Sequence, residues 1–255
     1  MIRWLWAFID RPLDRFDAAA GFWSAVTDTT LSPRRGDRHE FATFLPRDAD
    51  PCLKLQGVFS NGGAHLDIDV DDVDAVTHAA VEEHGAVLVS REGTELSVLR
   101  TPAGQLFCIT KWEGGPRRRP AVVAAQIDET HPRLRSRVDQ VCLDIGPEHF
   151  EPETEFWSAF TSWACRVPVS GEFARLQVPD ELPVHILLQR CVTSGPPSAH
   201  IDIACGDDVP GIRAYHESLG AEPVAVGEHW QVMRDPAGGL YCLTERDPQT
   251  GRLAP

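Results

Sequence analysis

Long apolar runs are missing from this 255-residue sequence. A membrane-spanning helix needs about 18 or more consecutive apolar residues, and no segment approaches that length. The N-terminal stretch MIRWLWAFIDRP is broken by Asp10 and Arg11, so it is too short for the apolar part of a signal peptide. We therefore expect a protein that neither crosses a membrane nor carries a secretion signal.

Paired cysteines are also missing. The seven cysteines are odd in number, and no two of them are spaced as C-x-x-C. This pattern gives neither a disulfide framework nor the spacing of a zinc knuckle. It is typical of a reduced protein, and we expect a cytoplasmic one.

Positive charge is scarce. Lys and Arg number 24 against 38 Asp and Glu, which gives a formal net charge of −14. Nucleic acids and anionic membranes are both bound through clustered positive charge, so we expect neither as a partner. The one basic run, Arg117–Arg119, lies between glycine and proline residues and is interpreted as part of a solvated linker.

What the chain does contain is an internal repeat. VLRTPAGQLFC at residues 98–108 returns as VMRDPAGGLYC at residues 232–242, and FWSA at 22–25 returns at 156–159. HLDI at 65–68 returns as HIDI at 200–203. The order of the matching segments is preserved with offsets near 134 residues, which predicts a tandem duplication.

Within one copy the hydrophobic pattern alternates between strand and helix periods. Strands are predicted at Ile2–Ile9, Glu40–Leu45, Cys52–Val58, His65–Val70, Val87–Ser90, Glu95–Leu99 and Leu106–Lys111. Helices are predicted at Phe16–Asp28 and from an N-cap at Asp71-Asp72 to about His84, before Gly85. The pattern predicts two βαβββ modules per copy, with copies at 1–112 and 138–246 and a linker at 113–137.

The chain resembles the vicinal oxygen chelate superfamily of glyoxalases, bleomycin-resistance proteins and extradiol dioxygenases. The resemblance is carried by the FWSA segment, the H-x-D-I strand, the helix ending in Gly-Ala and the closing R-x-P-A-G-x-x-x-C, in the same order twice. It implies an α+β fold of two tandem domains. Each domain would be a pair of βαβββ modules forming a curved mixed sheet around a cleft.

Strand alternation predicts which side chains line the two clefts. Leu66, Ile68 and Val70 form the apolar set that should face the helices. The opposite faces carry the candidate site residues, which are His65, Asp67, Asp69, His200, Asp202, Cys108, Cys242, Trp4, Trp6, Phe8, Gln140 and Cys142.

The resemblance implies metal ligands on the first strand, on the H-x-D-I strand and on the last strand, which ends in a carboxylate. In the first copy Trp6 and Cys108 stand at the outer two positions, so only His65 remains. The second copy keeps Gln140 and His200 but has a cysteine in place of the carboxylate. We therefore expect no metal and no other cofactor.

Zinc is the alternative, because it accepts both cysteine and histidine. A site of His200 and Cys242 with Gln140 or Asp202 stays open at this point. The cysteines have a simpler interpretation as small buried apolar residues.

Other candidate residues admit two interpretations each. His65 and His200 are either hydrogen-bonded within a sheet or act as ligand contact or general base, with Asp67 or Asp202 orienting the imidazole. Gln56 and Gln189, at matching places in the repeat, are either hydrogen-bonding handles for a ligand or edge-strand residues. The Trp4, Trp6 and Phe8 stripe is either an aromatic wall for a planar ligand or core. Trp23 and Trp157 are assigned to the core.

These observations predict a metal-independent small-molecule-binding protein of the bleomycin-resistance type, with its ligand unspecified and a homodimer left open. The alternative is a lyase or isomerase acting on a small carbonyl compound or secondary metabolite, with His200 as base and Asp202 orienting it. A metal-dependent glyoxalase or dioxygenase follows third, and a scaffold role for one copy fourth. We expect the second cleft to work, because Gln140 and Cys142 are smaller than Trp6 and Phe8.

Overall fold

The computed structural model describes residues 1–60, 62–114, 123–125 and 134–253. Most of the predicted linker at 113–137, including the Arg117–Arg119 run, lies outside the described residues. The boundaries of the two copies therefore stay a prediction.

The first copy contains eight strands and two α-helices within the described residues. The strands are β1 (Ile2–Pro12), β2 (Thr30–Leu31), β3 (Phe41–Leu45), β4 (Leu53–Val58), β5 (Gly63–Val70), β6 (Val87–Glu92), β7 (Leu96–Arg100) and β8 (Leu106–Lys111). The helices are α1 (Phe16–Val26) and α2 (Val73–Glu82), and a 3-10 turn at Leu13–Arg15 precedes α1.

The second copy repeats this order after β9 (Val123–Ala125), which pairs with the following strand. Its strands are β10 (Leu134–Ile145), β11 (Cys165–Arg166), β12 (Phe173–Leu176), β13 (His185–Arg190), β14 (Ser198–Ala204), β15 (Glu222–Val226), β16 (Trp230–Arg234) and β17 (Leu240–Thr244). Its helices are α3 (Phe150–Thr161) and α4 (Val209–Ser218), with a 3-10 turn at Gly206–Asp208.

The strands form two mixed sheets, which confirms the predicted α+β class and the paired βαβββ modules. Their orders are β2-β3-β4-β1-β5-β8-β7-β6 and β11-β12-β13-β10-β14-β17-β16-β15. The H-x-D-I strand pairs parallel with the closing strand in both, so Asp67 lies opposite Cys108 and Asp202 opposite Cys242. The two-residue strands β2 and β11 complete the modules and were not predicted, because two residues are too few to show a period.

Helix α2 begins at its predicted cap, and both helices of the first copy end earlier than predicted. Asp72 Oδ1 accepts a hydrogen bond from Ala75 N at 2.9 Å, which satisfies one of the free N–H groups in the first turn of α2. The α1 helix ends at Val26 instead of the predicted Asp28, because Asp28 itself adopts φ +47° and so leaves the right-handed helix.

By its contacts the chain forms two compact units, and each unit contains residues from both copies. One unit consists of the described residues of 1–7, 64–117 and 141–199. In it, the Phe107 ring of β8 contacts Phe156, Trp157 and Phe160 of α3 at centroid distances of 5.4–5.8 Å. Glu153 of the same helix accepts from Trp157 Nε1 at 2.9 Å and from Ala103 N at 3.0 Å. Burial raises the pKa of Glu153 in spite of these donors.

The other unit consists of the described residues of 8–63, 118–140 and 200–255. Its core packs Phe22 and Trp23 of α1 on Tyr241 of β17, at centroid distances of 5.7 and 5.3 Å. His216 Nδ1 lies 2.9 Å from the Tyr241 hydroxyl. Asp235, in the turn before β17, accepts from Trp23 Nε1 at 2.9 Å and from Arg11 Nε at 2.6 Å. Trp23 and Trp157 are both fully buried, which confirms their assignment to the core.

Candidate functional site

Strand β5 divides its side chains between two faces as its sequence predicts. Leu66, Ile68 and Val70 are fully buried. The alternate residues are polar, with His65 half-buried and both Asp67 and Asp69 buried. Buried carboxylates need donors or cations, so the surroundings of these two aspartates determine what the site can do.

Asp69 has a protein donor on each oxygen. Trp6 Nε1 donates to its Oδ2 at 3.0 Å, and Thr110 Oγ1 donates to its Oδ1 at 2.6 Å. Trp6 is buried, and its indole is therefore fixed by a polar contact as well as by packing. Sequence analysis placed Asp69 on this face but missed Thr110. The available signal was that Thr110 directly follows Ile109 on β8, and successive residues of a strand point to opposite faces.

Asp67 has a different environment from Asp69. His65 Nε2 lies 3.6 Å from Asp67 Oδ1, and that oxygen is buried with no hydrogen-bond donor among the described residues. Cys108, half-buried on β8, lies opposite Asp67 in the parallel register. One potential ligand atom from each of the three residues falls within 4.8 Å of the other two. The structure thus brings together three of the predicted residues in the first copy.

In the second copy the structure brings Gln140, His200 and Asp202 together. Gln140 Nε2 donates to Asp202 Oδ2 at 2.6 Å. His200 Nε2 lies 3.2 Å from Asp202 Oδ1, within ion-pair distance but without the geometry of a hydrogen bond. Asp202 Oδ1 and Gln140 Oε1 are both buried acceptors that receive no hydrogen bond within the described part of the chain.

The remaining predicted residues are placed as follows. Gln56 is half-buried on β4, opposite Phe41. Gln189 is half-buried on β13, where its Nε2 donates to Glu172 Oε1 at 3.2 Å and its Oε1 lies 3.9 Å from Cys142 Sγ. Cys242 is buried on β17. Trp4 and Phe8 are buried, and Phe8 has the Lys54 ammonium 4.9 Å from its ring centre.

A buried charge network on β10 was missed by sequence analysis. Asp139 is fully buried and accepts from Arg246 Nε at 2.6 Å and from Arg137 Nη2 at 3.2 Å. The available signal was the aspartate directly after Val138 in the strand segment VDQVCLDI. Arg137 also lines a cavity of about 50 Å³ beside Cys52, whose pKa burial raises to about 12. Ligand sites are usually roughly 300–1,000 Å³, so this cavity is too small for one.

Two repeated sheets, each with a polar cluster on its H-x-D-I strand, define a protein built from two copies of one α+β fold. A family model described as a glyoxalase-like domain matches residues 6–110 and again residues 140–244. The chain therefore belongs to the glyoxalase-like domain family, which confirms the resemblance noted in the sequence. No sequence match to a curated protein was found.

Solved structures with this fold include a glyoxalase with bound manganese and a dioxygenase. The Mn(II)-bound glyoxalase from Novosphingobium aromaticivorans is 18% identical with a TM-score of 0.63, over 99% of this chain and 86% of that one. The 2,2′,3-trihydroxybiphenyl 1,2-dioxygenase from Sphingomonas wittichii is 13% identical with a TM-score of 0.63, over 100% and 97%. At these identities the likeness shows the fold and not the activity. No helix among the described residues has the length and apolar character needed to cross a bilayer.

Within the described part of the chain, the donor atoms of these two clusters do not fit a manganese or non-haem iron centre. Manganese prefers oxygen ligands, and the common iron triad uses two histidines with one carboxylate. The first copy instead offers one imidazole, one carboxylate and one thiol. In the second copy, the Gln140 amide directs its N–H group, the positive end of its dipole, at the Asp202 carboxylate.

Proposed function

We propose that this chain is a small-molecule-binding protein of the glyoxalase type, and that its second-copy site holds the ligand without a metal ion. The site consists of Gln140, His200 and Asp202. The observation that carries the proposal is the pair of buried acceptors, Asp202 Oδ1 and Gln140 Oε1, neither of which receives a hydrogen bond among the described residues.

Buried acceptors without donors are costly, at about 1–3 kcal/mol each. A ligand that carries ammonium or hydroxyl groups would supply the missing donors. The chain's net charge of −14 favours the approach of a cationic ligand through long-range attraction. We therefore propose that the ligand is a small polar compound bearing a hydrogen-bond donor, with amines as the preferred class.

Metal independence is supported by the orientation of Gln140. Gln140 Nε2 donates to Asp202 Oδ2 at 2.6 Å, so this oxygen already has a protein donor and is not offered to a metal ion. That donor already offsets part of the carboxylate charge.

Calorimetric titration of EDTA-treated protein with a panel of small primary amines, guanidines and catechols tests the proposal. We expect amine binding that weakens at least tenfold in Gln140→Leu and in His200→Ala and is unchanged in His65→Ala. Binding that requires an added divalent metal would contradict metal independence. Binding lost only in His65→Ala would assign the function to the first copy, and no binding by any donor-bearing compound at millimolar concentration would refute the site.

A further inference from the structure

Strand β6 ends the first sheet, and among the described residues its only strand neighbour is β7. All six residues of β6 are exposed. They include three consecutive apolar residues, Val87, Leu88 and Val89, which are 60%, 42% and 49% exposed. The outer edge of a terminal strand presents N–H and C=O groups that can pair with another strand, and proteins usually protect such an edge with charged residues or proline. The first half of β6 has neither.

The second copy provides an internal comparison. Strand β15 ends the second sheet and is likewise exposed along its length. The Gly-Ala pair that precedes each strand aligns Val87 with Glu222 and Leu88 with Pro223. Both strands have a bulge at the next residue, so the bulge does not distinguish the two edges. A charge and a proline thus protect the edge of the second sheet, and apolar residues occupy the same places in the first.

The sequence of β6 is complementary to itself in one antiparallel register. With a two-fold axis at Leu88, this residue lies opposite Leu88 of another molecule, and Val87 lies opposite Val89. Apolar residues then face apolar residues at all three positions, which favours pairing. An axis at Arg91 would instead place two guanidinium groups opposite each other, and like charges in that position are unfavourable.

The charged residues near the edge are compatible with the Leu88 register. Arg91 forms an ion pair with Asp74 of α2 in its own molecule. Glu92 would approach His84 of the other molecule, which is half-buried in the turn before β6 and whose imidazole can donate a hydrogen bond to a carboxylate. The net charge of −14 on each chain produces a long-range repulsion that salt screens, so added salt should strengthen the association.

We propose that β6 is a homodimer interface, at which two molecules of this chain pair their β6 strands antiparallel about Leu88 and join their first sheets into one. Such an interface is isologous, since both molecules contribute the same strand. It supplies main-chain hydrogen bonds to an exposed sheet edge, as in other cases of strand addition. One short strand from each molecule makes a small interface, so we expect a dissociation constant on the order of 10 µM. The proposal does not depend on the ligand site of the second copy.

Sedimentation velocity of the full-length protein from about 1 to about 200 µM covers the expected dissociation constant. We expect a shift from monomer to dimer across this range, which Val89→Lys should weaken at least tenfold. The matched control is Val224→Lys, at the corresponding residue of β15, where the valine is 47% exposed against 49% for Val89. This control should dimerise as the wild type does.

A cysteine at the two-fold axis tests the register. Residues directly opposite each other in antiparallel strands have Cα atoms about 4.5–5.5 Å apart, a separation that a disulfide can bridge. Under mild oxidation Leu88→Cys should therefore form a covalent dimer beyond the wild-type level, and Pro223→Cys on β15 should not. A wild type that stays monomeric throughout the range, a dimer that Val89→Lys leaves intact, or cross-linking no greater in Leu88→Cys than in Pro223→Cys would overturn the proposal.

Discussion

Replacing Asp235 with asparagine should strongly destabilise the fold. Asp235 is 3% exposed and accepts four hydrogen bonds. Oδ2 receives Arg11 Nε at 2.6 Å and Trp23 Nε1 at 2.9 Å. Oδ1 receives the backbone N–H groups of Ala237 and Gly239 at 2.9 and 3.0 Å. Asparagine keeps the shape but has a single acceptor oxygen, so in either orientation its NH₂ group faces two donors.

The charge of Arg11 determines how much free energy of unfolding is lost in Asp235→Asn. Arg11 is fully buried, and its Nη1 donates to the backbone carbonyls of Asp10 and Gly63 at 2.7 and 2.8 Å. Removing one partner of a buried ion pair costs about 3–5 kcal/mol, because the remaining charge is left uncompensated. We expect a loss of that size from the free energy of unfolding in Asp235→Asn.

Urea unfolding followed by far-ultraviolet circular dichroism measures this loss. The matched control is Asp71→Asn, which breaks the Arg3–Asp71 pair, whose side chains are each 42% exposed, and should not measurably shift the urea midpoint. The double variant Arg11→Met with Asp235→Asn should be more stable than Asp235→Asn alone, since neither residue of this pair then carries a buried charge. An Asp235→Asn midpoint equal to that of Asp71→Asn would refute the reasoning.

Two further predictions concern the same unit. Burial lowers the pKa of His216 from 6.5 to about 3, so the unfolded chain binds this proton more readily than the folded one. The contribution of neutral His216 to the free energy of unfolding should therefore be fully present above pH 6.5 and should fall by about 2 kcal/mol at pH 5. Urea titrations at several pH values measure this fall. If the free energy of unfolding depended on pH equally in wild type and His216→Phe, the prediction would be contradicted. Residues 1–112 expressed alone lack Tyr241 and Asp235, which contact Trp23 in the full chain. We therefore expect no cooperative thermal transition until residues 138–246 are added. Cooperative unfolding of the isolated fragment would contradict this.

Much of the local structure could be predicted because it depends on neighbours in the sequence. The alternation of His65–Val70 specified both the strand and its buried face, and Asp72 specified the start of α2. The same order of strand-like and helix-like segments occurs in both copies. This order was enough to predict the paired modules, since a duplicated fold repeats its hydrophobic pattern.

Contacts between the copies could not be predicted in this way. The sequence does not reveal that Trp23 of the first copy packs on Tyr241 of the second, because core packing selects for shape and apolarity that many residue pairs satisfy. The sequence also does not indicate that Glu153 and Asp235 each bind a buried tryptophan. In one unit the carboxylate that binds the buried tryptophan comes from the helix, and in the other it comes from the turn.

The candidate site shows a related divergence, with a visible cause in two positions. Ala204 stands where the first copy has Asp69, two residues after the H-x-D aspartate. In the first copy the first-strand donor Trp6 binds Asp69, and Asp67 Oδ1 has no donor among the described residues. In the second copy the matching donor, Gln140, binds the H-x-D aspartate itself. Two differences, Asp69 against Ala204 and Trp6 against Gln140, thus determine which carboxylate the first-strand donor binds. In both copies the H-x-D aspartate keeps one buried oxygen without a donor among the described residues.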